Sequence, residues 1–290
     1  MSKVYFTKEI TPLSVVRLYE LLISERGGEL PRPIAVKVHS GEVGNQNFLR
    51  PDFFVPVIKR AGGVVTECNT AYEGARNTTE KHIKTLKSHG WSEYFEVDLL
   101  DAEGPDLCLD IKGGKCIDKN YVGKNIEKYQ SSLVLSHFKG HPMGGYGGAL
   151  KQLSIGFASS YGKKYIHGVG DVDNFWGSDH DSFLASMADA ASSVIDLFHK
   201  NVLYINVMKN MSVDCDCCAK AKDPCIADIG ILASLDPVAV DKACLDLVYA
   251  STDPGKAHLI ERIESRNGAY TIECAEALGI GSTKYEIVEI

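Results

Sequence analysis

Short β-branched runs alternate with longer amphipathic segments along this chain, and that alternation restricts its fold more than any other feature. Strands are predicted at Val4–Phe6, Ile34–Val38, Val64–Thr66, Leu133–Ser136, Val202–Val207 and Ile229–Ala233, with an edge strand at Ile287–Glu289. Helices are predicted at Leu13–Ser24, Asp52–Ala61, Thr79–Ser88, Gly148–Leu153, Phe183–Lys200, Val238–Tyr249 and Thr271–Leu278. Local signals support the helices. Asp236-Pro237 supplies a cap and an N1 proline, and Gly62-Gly63 and Gly90 stop the helices before them. The expected fold is α/β: a mostly parallel sheet flanked by helices.

With 290 residues, the chain can bury a substantial core without disulfides. A single α/β domain over residues 1–290 is expected. Two stretches rich in Gly, Asp and Lys, 104–126 and 168–181, read as lobe boundaries or solvated loops. The net charge of −7, with no basic stripe, argues against nucleic acid or an anionic membrane as partner and leaves small molecules or proteins. The N-terminus lacks the charged start and apolar stretch of a signal peptide, and no run is long enough to span a bilayer. Nine cysteines, an odd number, suit a reducing compartment, so a cytoplasmic location is expected. A homodimer is expected from base rates alone.

Cys215, Cys217, Cys218 and Cys225 put four sulfurs within eleven residues. Such crowding points to metal binding, redox chemistry or a reduced structural cluster. Adjacent Cys217 and Cys218 fit poorly to the Cys-x2-Cys knuckle of structural zinc, and the bacterial ferredoxin run is absent. The spacing suggests a metal without naming it.

Ligands of open parallel sheets bind beyond the carboxyl ends of the strands. Here those ends are followed by His39, Glu42 and Asn45; by Glu67, Cys68 and Asn69; by His137, Lys139 and His141; and by Lys209, Asn210 and the cysteines. A common site is therefore expected. Gly140 and Pro142 argue against a helix around His137 and His141, so the two are read as a loop pair: metal ligands, acid–base groups, or simply hydrogen-bonded histidines. His167 is a weaker third member. Gly144, Gly145, Gly147 and Gly148, followed by Lys151, open a helix and could bring N–H groups to a phosphate or carboxylate. They match neither the Walker A nor the dinucleotide pattern, and close helix–sheet packing explains the glycines equally well.

Several motifs in order are similar to those of a known family. They are Val36–Asn45, Ala61-Gly62-Gly63 with Thr66–Thr70, Leu135–His141 with Gly147–Leu153, and Cys215-Asp216-Cys217 with Asp228–Asp241. Together they resemble the family of uncharacterised Fe–S-centre proteins, a domain of unknown function, over nearly the whole chain. Longer members carry a ferredoxin-type insert with two cysteine-rich motifs. Here the corresponding segment, Gly168–Ser182, has no cysteine, so a cluster would have to sit on Cys215–Cys225. The resemblance implies an iron–sulfur label without a settled reaction.

The combined expectation is a metal- or iron–sulfur-binding protein, as a redox enzyme or otherwise. Cys215, Cys217, Cys218, Cys225, His137 and His141 are the candidate ligands. Glu42, Glu67 and Lys139 are the candidate catalytic groups, and the glycine loop with Lys151 would hold an anionic substrate or cofactor phosphate. Iron–sulfur would imply electron transfer, with a separate ferredoxin as partner, and zinc would imply Lewis-acid activation. The rival is a non-catalytic binding protein for a small anion, with structural cysteines. A Cys217–Cys218 redox sensor is a third reading.

Overall fold

The computed structural model describes residues 1–104 and 106–290. Its strands are β1 (Ser2–Thr7), β2 (Ile34–Lys37), β3 (Val64–Glu67), β4 (Val97–Leu99), β5 (Leu107–Asp110), β6 (Lys119–Val122), β7 (Ser131–His137), β8 (Lys139–His141), β9 (Gly145–Gly147), β10 (Val202–Met208), β11 (Gly230–Ser234) and β12 (Tyr285–Glu289). The helices are α1 (Pro12–Arg26), α2 (Pro51–Ala61), α3 (Thr79–Ser88), α4 (Trp91–Tyr94), α5 (Ala149–Lys151), α6 (Ser160–His167), α7 (His180–Leu197), α8 (Pro237–Ala250), α9 (Lys256–Glu264) and α10 (Tyr270–Ala277).

Eight strands form one sheet in the order β12-β1-β11-β10-β7-β2-β3-β4. Only β11 runs against its neighbours, so the sheet is mostly parallel as expected. β7 and β10 are buried at every residue, and their apolar stretches Leu133–Leu135 and Val202–Ile205 do not alternate with polar residues. Alternate side chains feed two cores. Leu203, Ile205 and Val207 join Leu133 and Leu135 under α1 and α2, whereas Val202, Tyr204 and Met208 join Val134 under α7, α8 and α10.

All seven predicted strands are present. The segment expected as helix Gly148–Leu153 is a short α-turn that widens into a π-turn over Gln152–Gly156. Of the boundary expected at 104–126, residue 105 lies outside the described residues, and the rest carries the β5–β6 pair. His137 and His141 are not in a loop: His137 ends β7, and His141 ends β8 of a hairpin with β9. No helix is long and apolar enough to cross a membrane among the described residues.

From β2 the chain steps outward to β3 and β4, whereas β7 and β10 lie on the other side of β2. The topology therefore reverses between β2 and β7. That crevice, at the carboxyl ends of the strands, is where an α/β sheet holds ligands.

Candidate functional site

After β10 the chain crosses the strand ends as a cysteine-bearing loop. Cys218 N–H donates to the Cys215 carbonyl at 2.9 Å, closing a turn around Asp216 and Cys217. Within it, Cys217 N–H points at Cys215 Sγ, 3.4 Å away. Two neighbours fix the loop. Glu42 N–H donates to the Asp216 carbonyl at 2.8 Å, and Asn45 Nδ2 to the Cys218 carbonyl at 2.8 Å. On the other side Gly140 N–H donates to the Ser212 carbonyl at 2.8 Å. A Cβ on Gly140 would stand 2.4 Å from the Val213 carbonyl oxygen, so only glycine lets the hairpin lie this close.

This contact brings His141 onto the cysteines. The donor atoms of His141, Cys215 and Cys217 lie within 4.8 Å of one another and could hold a metal ion. His141 Nδ1 accepts from the N–H groups of Gly144 (2.9 Å) and Met143 (3.2 Å), and His39 Nδ1 accepts from Gly41 N–H (3.1 Å). Each ring therefore carries its proton on Nε2. Both rings stand near Cys215, and His141 Nε2 is 4.0 Å from Cys217 Sγ. Burial pushes both imidazoles down to about 4, with help from Arg76 at His39 and from Lys151 at His141, so both are neutral near pH 7. The Cys217 thiol is pulled down by its bond to Cys215 but raised on balance by Cys218 and by burial.

Other expected ligands have other partners. His137 Nδ1 bonds to Asp216 at 2.9 Å, and its Nε2 faces the Lys209 carbonyl at 2.5 Å. Lys139 Nζ pairs with the same carboxylate at 2.8 Å. Burial alone would raise the Asp216 carboxyl, but His137 and Lys139 hold it well below its usual range. This braced triad supports the cysteine turn from beneath. Cys218, whose thiol pKa the neighbouring Cys217 side chain lowers, and Cys225, whose Sγ donates to the Met211 carbonyl at 3.5 Å, do not join the three clustered donors.

The two carboxylates expected to move protons are held in ion pairs. Glu67 binds Lys37 Nζ at 2.7 Å and Ser40 N–H at 2.7 Å, with Arg76 at 3.8 Å. Burial opposes its ionisation, but Lys37 and the surrounding histidines and Arg76 depress its pKa well below the usual range. Glu42 accepts from Arg76 Nε at 3.2 Å and Ala75 N–H at 3.0 Å. Both anchor the loops around the crevice.

The glycine loop has an internal anion. Ala149 and Leu150 N–H donate to the Asp241 carboxylate at 2.7 and 3.0 Å, joined by Asn206 Nδ2 at 2.7 Å and the Tyr146 hydroxyl at 3.3 Å. A Cβ on Gly148 would stand 2.4 Å from Asp241 Oδ1. The N–H groups expected to receive a phosphate are therefore engaged, and Gly144, Gly145, Gly147 and Gly148 serve the hairpin and the helix–sheet approach. Lys151 does reach the crevice.

Beside the cysteines opens a cavity of about 370 Å³, lined by Lys37, Glu67, Arg76, His141, Lys151, Lys163, His167 and Cys217 among others. The model for a domain of unknown function, DUF362, matches residues 34–246. The chain belongs to the DUF362 family. No curated protein matches. Two solved structures are similar to it: the lactate racemase apoprotein from Thermoanaerobacterium thermosaccharolyticum and a protein from Thermotoga maritima. The first is 14% identical with a TM-score of 0.41, over 70% of this chain and 50% of that one. The second is 10% identical with a TM-score of 0.44, over 92% of this chain and 58% of that one. The chain thus spans about half the length of these two proteins.

Several residues of the DUF362 site lacked a sequence signal. Arg76 and Trp176 sit in irregular segments with no periodicity to place them. Lys163 lies on α6, whose buried face carries a lysine where an apolar residue would normally mark it. His39 did have a signal, its position directly after β2, and it deserved a place beside the cysteines.

Proposed function

We propose that His141, Cys215 and Cys217 bind one divalent metal ion whose remaining coordination position opens toward the cavity, making this DUF362 protein a metal-dependent protein acting on a small molecule. The clustering of the three donor atoms within 4.8 Å carries the reading. Two thiolates and one imidazole are a donor set of catalytic zinc, with Zn–S of about 2.3 Å and Zn–N of about 2.0–2.1 Å, so inward movements below an ångström would complete it. When bound, such an ion polarises a substrate oxygen. The chain's own part is to orient the ligands: the His137–Asp216–Lys139 triad fixes the turn, and His141 and Cys217 would hold the ion at the cavity wall. Both thiols would have to be ionised to hold the ion, so uptake releases protons and binding weakens as pH falls.

An iron–sulfur cluster is the second reading, carried by the cysteine count and the family resemblance. It has weaker support because a cluster is usually held by four thiolates, and Cys218 and Cys225 stand apart from the three clustered donors. Elemental and sulfide analysis of protein purified without oxygen separates the readings. We expect about one metal ion per chain without sulfide, lost in Cys217→Ala. Stoichiometric iron with sulfide would replace the proposal with the cluster, and no metal even after reconstitution would contradict both.

A further inference from the structure

The cavity has a chemistry of its own, independent of the ion. Four cationic side chains, Lys37, Arg76, Lys151 and Lys163, line it against one carboxylate, Glu67. Three of the four already have partners. Lys37 pairs with Glu67, Arg76 with Glu42 and Glu67, and Lys163 Nζ donates to the Ala158 carbonyl at 2.5 Å. The ammonium of Lys151 has no hydrogen-bond or ion-pair partner among the described residues. Close to it stands His167, 8% exposed, whose Nδ1 is buried without a hydrogen bond. Its ring is stacked on Phe183 at 4.5 Å and flanked by Trp176 at 5.4 Å, so it cannot easily turn to find a partner. A buried polar nitrogen without a partner is costly and points to one that arrives from outside. An apolar part of the wall comes from Pro142, Met143, Ile155 and Trp176.

We propose that this cavity binds a small organic carboxylate with an apolar body, its head group at Lys151 and His167 and its body against Met143, Ile155 and Trp176. One free ammonium and one neutral imidazole suit a singly charged head group. A phosphate dianion usually draws on the N–H groups of a helix N-terminus. Those of Ala149 and Leu150 are already bound to Asp241. The inference does not require the metal.

The protein reports on its own cavity. Trp176 is 55% exposed at the cavity wall, whereas Trp91, the other tryptophan, is fully buried in the core. Tryptophan emission and calorimetry would be followed as the full chain is titrated with benzoate, acetate and inorganic phosphate. Saturable benzoate binding is expected, with acetate and phosphate at least about tenfold weaker because they bring no apolar surface. Lys151→Met and His167→Ala should each weaken benzoate by about tenfold or more. Trp176→Phe should abolish the emission change while calorimetric binding persists. Benzoate binding retained in Cys215→Ser/Cys217→Ser, which removes the proposed ion ligands, would uphold the cavity reading even if the metal reading fails. Phosphate binding as tightly as benzoate, unchanged affinity in both Lys151→Met and His167→Ala, binding that disappears with the cysteines, or no saturable binding would overturn it.

Discussion

Lys37 ends β2 with its ammonium buried, and its hydrogen-bond partners are the Val38 carbonyl at 2.5 Å and Glu67 at 2.7 Å. Removing one member of such a pair strands a charge in the interior, which costs far more than the pair itself contributes. Lys37→Met should therefore destabilise the protein by about 3–5 kcal/mol in urea denaturation, and adding Glu67→Leu should recover most of that loss. Equal stability of the single and double variants would contradict the pairing. Ion pairs also occupy the two carboxylates that the sequence singles out. Glu42 and Glu67 looked like proton-transfer groups because they follow strands, but a sequence does not show Arg76 reaching both carboxylates from an irregular segment. Conversely, the clustering of His141 with Cys217 across 76 residues was legible only through the strand-end rule. That rule named both segments, and packing brings the donor atoms of three of the six expected ligands within 4.8 Å of one another.

Between elements, the decisive contacts are close backbone approaches that glycine permits. Gly140 lets β8 rest on the cysteine loop. In Gly140→Ala the loop must move off by roughly an ångström, and metal affinity should fall at least about tenfold while the sheet stays folded, as read by metal titration and circular dichroism. Undiminished affinity would show that the hairpin does not position His141. Asp241 on α8 clasps the start of α5 and the side chain of Asn206 on β10. Asp241→Ala leaves buried donors unpaired and should cost about 2–4 kcal/mol in thermal or urea unfolding, whereas a loss near zero would mean water replaces the carboxylate. The long buried strands were readable because burial on both faces leaves consecutive apolar residues such as Leu133–Leu135 and Val202–Ile205. β4, β8 and β9 were not, since three residues rich in Gly, His or Asp carry no periodicity. The π-turn after α5 was invisible for the same reason.

Across the whole molecule, histidine burial sets the acid limit. His39 and His141 are pushed down to about 4, and His82 and His167 to about 3, each chiefly by burial. Unfolded histidine binds its proton near 6.5. The unfolded chain therefore takes up protons first, and stability present above about pH 6.5 is lost as pH falls toward 4. Asp241, raised by burial to about 6, acts in the opposite sense, since its protonated form is favoured in the fold between its unfolded pKa and that value. Four histidines against one carboxylate should leave a net loss, so the thermal midpoint of the metal-free protein should fall steadily between pH 6.5 and 4.5. A flat midpoint over that range would mean the histidines are protonated in the fold. The net charge of −7 gives no hint of this, because it does not distinguish a cationic crevice from an acidic exterior. The reversal of strand order between β2 and β7 puts that crevice where His39, His141 and the cysteine loop meet. Cobalt titration of the metal-free protein tests that convergence most directly: one equivalent of Co2+ should give thiolate charge-transfer bands with tetrahedral ligand-field bands, lost in Cys215→Ser and Cys217→Ser and weakened in His141→Ala. A featureless titration, or the same spectrum in all three variants, would contradict a metal centre at His141, Cys215 and Cys217.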